Sequence, residues 1–158
     1  MCALARVTMN PNSYIFMGGD SCHHGGEFRP SPYHPLPTPI TPNPIQNRGA
    51  SCPGSLFEPL LRGNDRETIF YAIAGVDDGK GVAHDVDEAE QMIEKVMQAD
   101  GLEEVLVFMA RDGTLKEVVS FSLRYANAFR GNEWAEKGRW LFFERFYGGC
   151  EAVKYSIA

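Results

Sequence analysis

Two patterns of apolar positions organise this chain. Ala3–Met9 and Tyr14–Met17 are short apolar-rich runs separated by Asn10-Pro11-Asn12-Ser13, a turn-forming tetrapeptide, and together they predict a β-hairpin. Tyr14-Ile15-Phe16-Met17 is continuously apolar, as expected of a strand buried on both faces. Thr68–Ala74 and Val105–Ala110 predict two further strands, the second fully buried. The other pattern has the helical period. Ala89, Met92, Ile93, Val96 and Met97 recur at i, i+3, i+4, i+7 and i+8 and predict a helix from about Val86 to Ala99. Asp85 and Glu88 form its capping box, and Gly101 its stop. A short helix follows at Leu115–Val119. The aromatic segment NEWAEKGRWLFFERFY (132–147) is partly helical, its period broken by Gly138 and the WLFF run. Strands and helices in this order give an α/β fold with strands of mixed direction.

Composition adds one large feature. Nine of the ten prolines fall within residues 30–59, which excludes a helix or a central strand there. Tyr33, Leu36, Ile40 and Ile45 supply apolar anchors, so this stretch reads as an extended arm laid along the domain and not as a free linker. The 158 residues, 44% of them hydrophobic, match a single domain with one sizeable core. A net charge of −6 argues against nucleic-acid or anionic-membrane partners. No apolar run approaches the roughly 18 residues of a membrane span. Residues 1–14 lack the apolar core of a secretory signal, which points to an intracellular, cytoplasmic protein. Cys2, Cys22, Cys52 and Cys150 are scattered without a Cys-x-x-Cys pair, so a zinc ribbon is not expected and free thiols are.

The densest chemistry is MGGDSCHHGGEFRPSP, residues 17–32. Asp20 sits just past the end of a strand, after Gly18-Gly19, with Cys22, His23, His24 and Glu27 close behind. A metal site needs several such groups converging at about 2.0–2.2 Å. Adjacent residues such as His23 and His24 point to opposite sides of a strand, and Gly25-Gly26 stop a helix that would align Asp20 with His24. The alternative is a turn in which Asp20 caps backbone N–H groups and the histidines bond locally. A Cys22 nucleophile with His23 or His24 as base stays open, although such a base normally comes from elsewhere in the fold. His84 reads as a surface residue near the helix start, and His34 has no partner nearby. GVDDGKG (75–81) lacks the spacing of a phosphate-binding loop, and no Gly-x-Ser-x-Gly elbow occurs.

Strand-Gly-Gly-Asp20, SCHHGGEFRPSPYHPLP after it, and later VLVFMARDGTL and ANAFRGNEWAEKGRW, resemble the C-terminal half of a metallo-β-lactamase-fold protein. The resemblance covers nearly the whole chain, most strongly residues 1–37 and 104–140. It implies half of an αββα sandwich: one mixed β-sheet with helices on its outer face, as a single partial domain over 1–158 with the proline-rich arm at about 30–59. Family members usually hold two metal ions, often zinc, and hydrolyse lactams, lactones, thioesters or phosphoesters through metal-bound hydroxide.

By this resemblance Asp20 is the bridging metal ligand. The His-x-His-x-Asp-His loop and the Gly-His-Thr-like turn have no counterpart in the sequence, which matches the family from just after that turn. Where relatives read Ala-His-Asp, this chain has Ala110-Arg111-Asp112. Arg111 stays protonated and offers no lone pair to a metal; charge logic pairs it instead with Asp20 or Asp112. One carboxylate holds a divalent ion weakly, so zinc is expected to be weak or absent here. His23, His24, Glu27, Arg29 and Arg111 are expected to line the pocket and bind substrate. For Glu27 and Arg29, a local ion pair fixing the arm is the plainer alternative.

Three functions remain open at this stage. One is a metallohydrolase fragment inactive by itself, and another is an enzyme completed by a partner chain or by self-association. The third is a binding module for small molecules that keeps the pocket walls without the ions.

Overall fold

The computed structural model describes residues 1–45, 51–72, 85–120 and 125–146. Strands β1 (Ala3–Met9) and β2 (Asn12–Met17) form the expected antiparallel hairpin. Its turn is tighter than expected: Met9 pairs with Asn12, because the Thr8 hydroxyl, 2.6 Å from that of Ser13 and bonded to the Pro11 carbonyl, draws the strands together. Strands β3 (Pro39–Ile40) and β4 (Cys52–Pro53) make a separate two-stranded antiparallel sheet within the proline-rich region.

Helix α1 (Val86–Asp100) begins where the capping residues require: the Asp85 carboxylate accepts from the Glu88 N–H at 3.0 Å. Strand β5 (Val105–Phe108) then runs parallel to β2, giving a three-stranded mixed sheet in the order β1-β2-β5. The fold is therefore α/β with one principal mixed sheet.

The sheet's two faces are packed differently. Tyr14 and Phe16 of β2, with Val105 and Val107 of β5, meet Ile93 and Val96 of α1. The alternate residues Ile15, Leu106 and Phe108 meet Leu115, Val119, Phe129 and Trp134. Trp134 opens the short helix α2 (Trp134–Gly138). This second face, expected to be bare if the chain were half of a sandwich, is thus partly covered by the chain's own later residues, and Leu106 is buried. Coverage is incomplete: a cavity of about 500 Å³ remains, lined by Ile15, Met17, Phe108, Val119 and Trp134, and Met17 of the hairpin stays exposed on this face.

The aromatic segment beyond α2 does not lie on that face. Trp140, Phe142 and Phe143 pack with Leu36, Ile40, Cys52, Phe57 and Leu61 in a separate core, where Phe143 stacks on Phe57 at 4.1 Å. Of the expected apolar anchors in the arm, Leu36 and Ile40 are buried, Ile45 is partly so and Tyr33 is exposed.

Two expectations are corrected. Thr68–Tyr71 is a bend, not the start of a strand. Its strand propensity is real, but the backbone beside it is a tight turn: Tyr71 N–H bonds to Gly26 O and Phe70 N–H to Arg29 O, with no ladder to join. Ile73 and Ala74, the remainder of that predicted strand, lie outside the described residues, as do GVDDGKG and His84. The helix predicted at Leu115–Val119 is a 3-10 turn at Gly113–Glu117, because the Asp112 carboxylate captures the Thr114 N–H and hydroxyl and starts it early. Among the described residues no helix is long and apolar enough to cross a membrane.

Candidate functional site

Parallel pairing places the C-terminal ends of β2 and β5 side by side. Met17 is in register with Phe108, so Asp20 and Arg111, each three residues further on, emerge at the same level. Gly19 N-terminal to Asp20 has φ +58°, a conformation glycine adopts without strain, and its carbonyl accepts from Ala110 N–H at 2.9 Å. Strand ends of this kind, fixed by the sheet and open to solvent, are where α/β proteins commonly bind ligands.

Here the Arg111 Nε lies 3.4 Å from Asp20 Oδ1, the pairing that charge logic predicts. His23 Nε2 lies 3.9 Å from the same oxygen. Asp20 and Arg111 side chains are both 69% exposed, so water screens the pair and it adds little to stability. Asp20 is free of burial and stands ready for a cation, but its two neighbours are a guanidinium and one imidazole. Among the described residues no three His, Cys, Asp or Glu side chains converge as a metal-binding group. These residues do not fit a metal centre by themselves.

The remaining candidates divide. Glu27 accepts from the His23 N–H at 2.9 Å and closes the loop over the site. His24 Nδ1 accepts from the Gly26 N–H at 3.0 Å and caps the tight turn Gly25–Glu27. Its ring is collared by Tyr71, Phe142 and Phe146 at 5.1, 5.5 and 5.9 Å. Burial lowers its pKa, the Arg145 charge adds to this, and Asp112 opposes it.

Arg29 goes elsewhere. Its side chain is buried, donating to both oxygens of Asp100 at 2.8 and 2.6 Å and to the Arg139 carbonyl at 2.9 Å. It does not stand with the other expected pocket residues, nor does it form the local pair with Glu27. Arg139 donates to the Asp100 carbonyl at 3.0 Å, and its Nε lies 3.5 Å from Asp100 Oδ2. This buried cluster joins the start of the proline-rich arm, the end of α1 and the end of α2. Sequence reasoning passed over Asp100, although an acid in the last turn of a helix opposes the helix dipole and so hints at a cation beside it.

Cys22 is closed as a nucleophile. It is fully buried, and burial, reinforced by Glu27, pushes its thiol up to about 12; the thiol stays protonated at neutral pH.

His34, which lacked a partner in the sequence, packs beside Trp140. Burial, with the Arg139 charge, lowers its pKa from 6.5 to about 4. The unfolded chain therefore binds the extra proton first as pH falls. Stability should be full above pH 6.5 and decline between 6.5 and about 4. Urea melts across that window should show a shallower decline in His34→Gln; an unchanged slope would remove His34 as a cause.

No family model matches the chain, and no solved structure does. Among curated relatives, the gamma-lactamase FDB1 of Fusarium pseudograminearum is 40% identical over 142 residues, covering 90% of this chain and 34% of its own length. The metallo-hydrolase mfmC of Annulohypoxylon moriforme is 32% identical over 146 residues, which are 92% of this chain and 37% of that protein. The gamma-lactamase MBL2 of Gibberella moniliformis is 49% identical over 71 residues, 45% of this chain and 30% of its own. With these relatives and an α/β sheet whose adjacent strand ends carry Asp20 and Arg111, the chain belongs to the metallo-β-lactamase-fold superfamily and spans about a third of the length of the curated relatives it matches.

Proposed function

We propose that this chain is the substrate-side part of a metallohydrolase, inactive by itself and completed by a polypeptide that carries the family's histidine ligands. The observation that carries the reading is the position of Asp20 at the adjoining ends of two parallel strands, beside Arg111 and a single imidazole, His23, with no third metal-binding group converging there among the described residues. In the completed assembly Asp20 supplies one metal ligand, zinc being the ion the family favours. His23, His24, Glu27 and Arg111 form the wall on which a small cyclic amide or ester rests. Metal chemistry of the family kind, activation of a bound water, comes only with ligands from outside this set. The names of the relatives, two gamma-lactamases and a metallo-hydrolase, support a γ-lactam as the substrate class and hydrolysis as the reaction.

The incompletely covered sheet face supports the need for a partner. Its cavity is almost wholly apolar and adjoins the site through Gly19 and Ala110, and exposed Met17 extends the apolar surface. Each apolar side chain buried there would contribute roughly 1.5–3 kcal/mol. The test mixes the chain with a separately expressed N-terminal segment of the gamma-lactamase FDB1 that bears its histidine ligands. Light scattering should show a heterodimer, and zinc-dependent opening of 2-pyrrolidinone should appear only in the mixture and vanish with Asp20→Ala. Opening of the lactam by this chain alone would refute the proposal. A monomer that ignores the added segment would refute the claim that this face takes a partner.

A further inference from the structure

The hydrogen bond from Gly26 N–H to His24 Nδ1 fixes more than the turn. A backbone N–H can only donate, so Nδ1 must be the unprotonated nitrogen of the ring. A neutral imidazole then carries its proton on Nε2. The ring's environment keeps it neutral near pH 7, since burial and Arg145 both disfavour the imidazolium and only Asp112 favours it. His24 Nε2 has no partner within the hydrogen bonds of the described residues. Nor is it among the buried polar atoms lacking one, of which Arg139 Nε is the single example among the described residues. The half-buried ring therefore keeps an Nε2–H that no described residue accepts.

We propose that His24 is a fixed, neutral hydrogen-bond donor that receives a carbonyl oxygen of the ligand, and that it is not a metal ligand. This rests on the reading of the site as a lactam-binding wall, and it names the group that recognises the acyl oxygen. Metal ligation through Nε2 requires a lone pair there, and Gly26 withholds it by occupying Nδ1. The aromatic collar keeps the donor from turning. Phe142 and Phe146 stand edge-on to the imidazole on the inner side. Tyr71, 39% exposed, stands beside it and is tied to the same turn by its N–H to Gly26 O at 2.8 Å. A small ring that places its carbonyl on Nε2 would lay its apolar edge against the exposed side of Tyr71. His23 differs in every respect: its side chain is 45% exposed, it lies 3.9 Å from Asp20, and it is the imidazole available to a cation.

Nitrogen-15 NMR of the histidine-labelled chain tests this directly. At pH 7 the His24 signals should show the Nε2–H tautomer, with Nδ1 as a hydrogen-bonded acceptor. Titration with 2-pyrrolidinone should shift Nε2, while pyrrolidine, which lacks the carbonyl, should not. Added zinc should perturb His23 and leave His24 unchanged. His24→Phe keeps an aromatic ring in the collar and should abolish the lactam-dependent shift of the neighbouring Tyr71 amide; His24→Gln, which retains an N–H donor, should preserve it in part. An Nδ1–H tautomer, an imidazolium at pH 7, or a zinc-induced shift of His24 Nε2 would overturn the assignment. So would a carbonyl-independent response. None of these outcomes depends on turnover, so loss of the hydrolase reading and loss of the donor assignment are separately visible.

Discussion

Asp100→Asn should lower the stability of the folded chain by about 3–5 kcal/mol, the usual consequence of removing one partner from a buried ion cluster. Asp100 is 2% exposed and receives both arms of the Arg29 fork. Asparagine keeps the shape but removes the charge, leaving two guanidiniums, those of Arg29 and Arg139, facing each other in the interior. Against a typical folding margin of about 5–15 kcal/mol, that is a large fraction, equivalent to roughly 10 °C in Tm for a chain of this size.

The pH dependence gives a second signature. Burial alone would raise the Asp100 pKa, but the charge and hydrogen bonds of Arg29, with Arg139, more than offset it and hold the carboxyl below its ordinary 3.8. A carboxylate with a depressed folded-state pKa contributes its stability above the unfolded value and loses it as pH falls through the folded one. The difference between the parent and Asp100→Asn should therefore be widest near neutrality and narrow below pH 3.8. Replacing all three charged residues with apolar ones of similar volume should restore much of the loss. A melting curve for Asp100→Asn that superimposes on the parent's would show that the cluster does not hold the arm to α1 and α2.

Arg111→His should produce no turnover in the isolated chain. The substitution puts an imidazole where the resemblance to the family sets its final ligand, at the strand end beside Asp20. It removes the cation now paired with that carboxylate, so weak binding of one ion can improve. The ligand set still contains no His-x-His-x-Asp-His loop, and hydrolysis of lactam, lactone or thioester should stay at the rate without protein. Zinc-dependent turnover by the variant, abolished by adding Asp20→Ala, would mean that this chain supplies its own missing ligands.

Local signals in the sequence carried β1, β2, α1 and β5 well, because each has a strong period and clear punctuation. The hairpin has a turn tetrapeptide, and α1 has both a capping box and a terminal glycine. Thr68–Tyr71 failed for a tertiary reason: its residues have strand propensity, but a tight turn at Gly25–Glu27 lies where a partner strand would have to run. The Asp20–Arg111 contact was legible because the two residues follow neighbouring strands and carry opposite charges. Arg29 was not. Its partner Asp100 is 71 positions away, and nothing local distinguishes a buried fork from a surface arginine. The same holds for His24, whose tautomer depends on one backbone N–H and whose collar comes from residues 71, 142 and 146. The partial cover of the second sheet face by Leu115, Val119, Phe129 and Trp134 also arose from packing that no periodicity announced.

Metal content shows whether this chain can hold the family's metal ions by itself, without any assumption about substrate. The purified chain, loaded with excess zinc and dialysed exhaustively, should retain less than about one ion per chain by elemental analysis, since a single carboxylate leaves a divalent ion mostly hydrated and weakly held. Retention of about two zinc ions per chain, the family's usual complement, would contradict the account and make this chain a metal centre by itself.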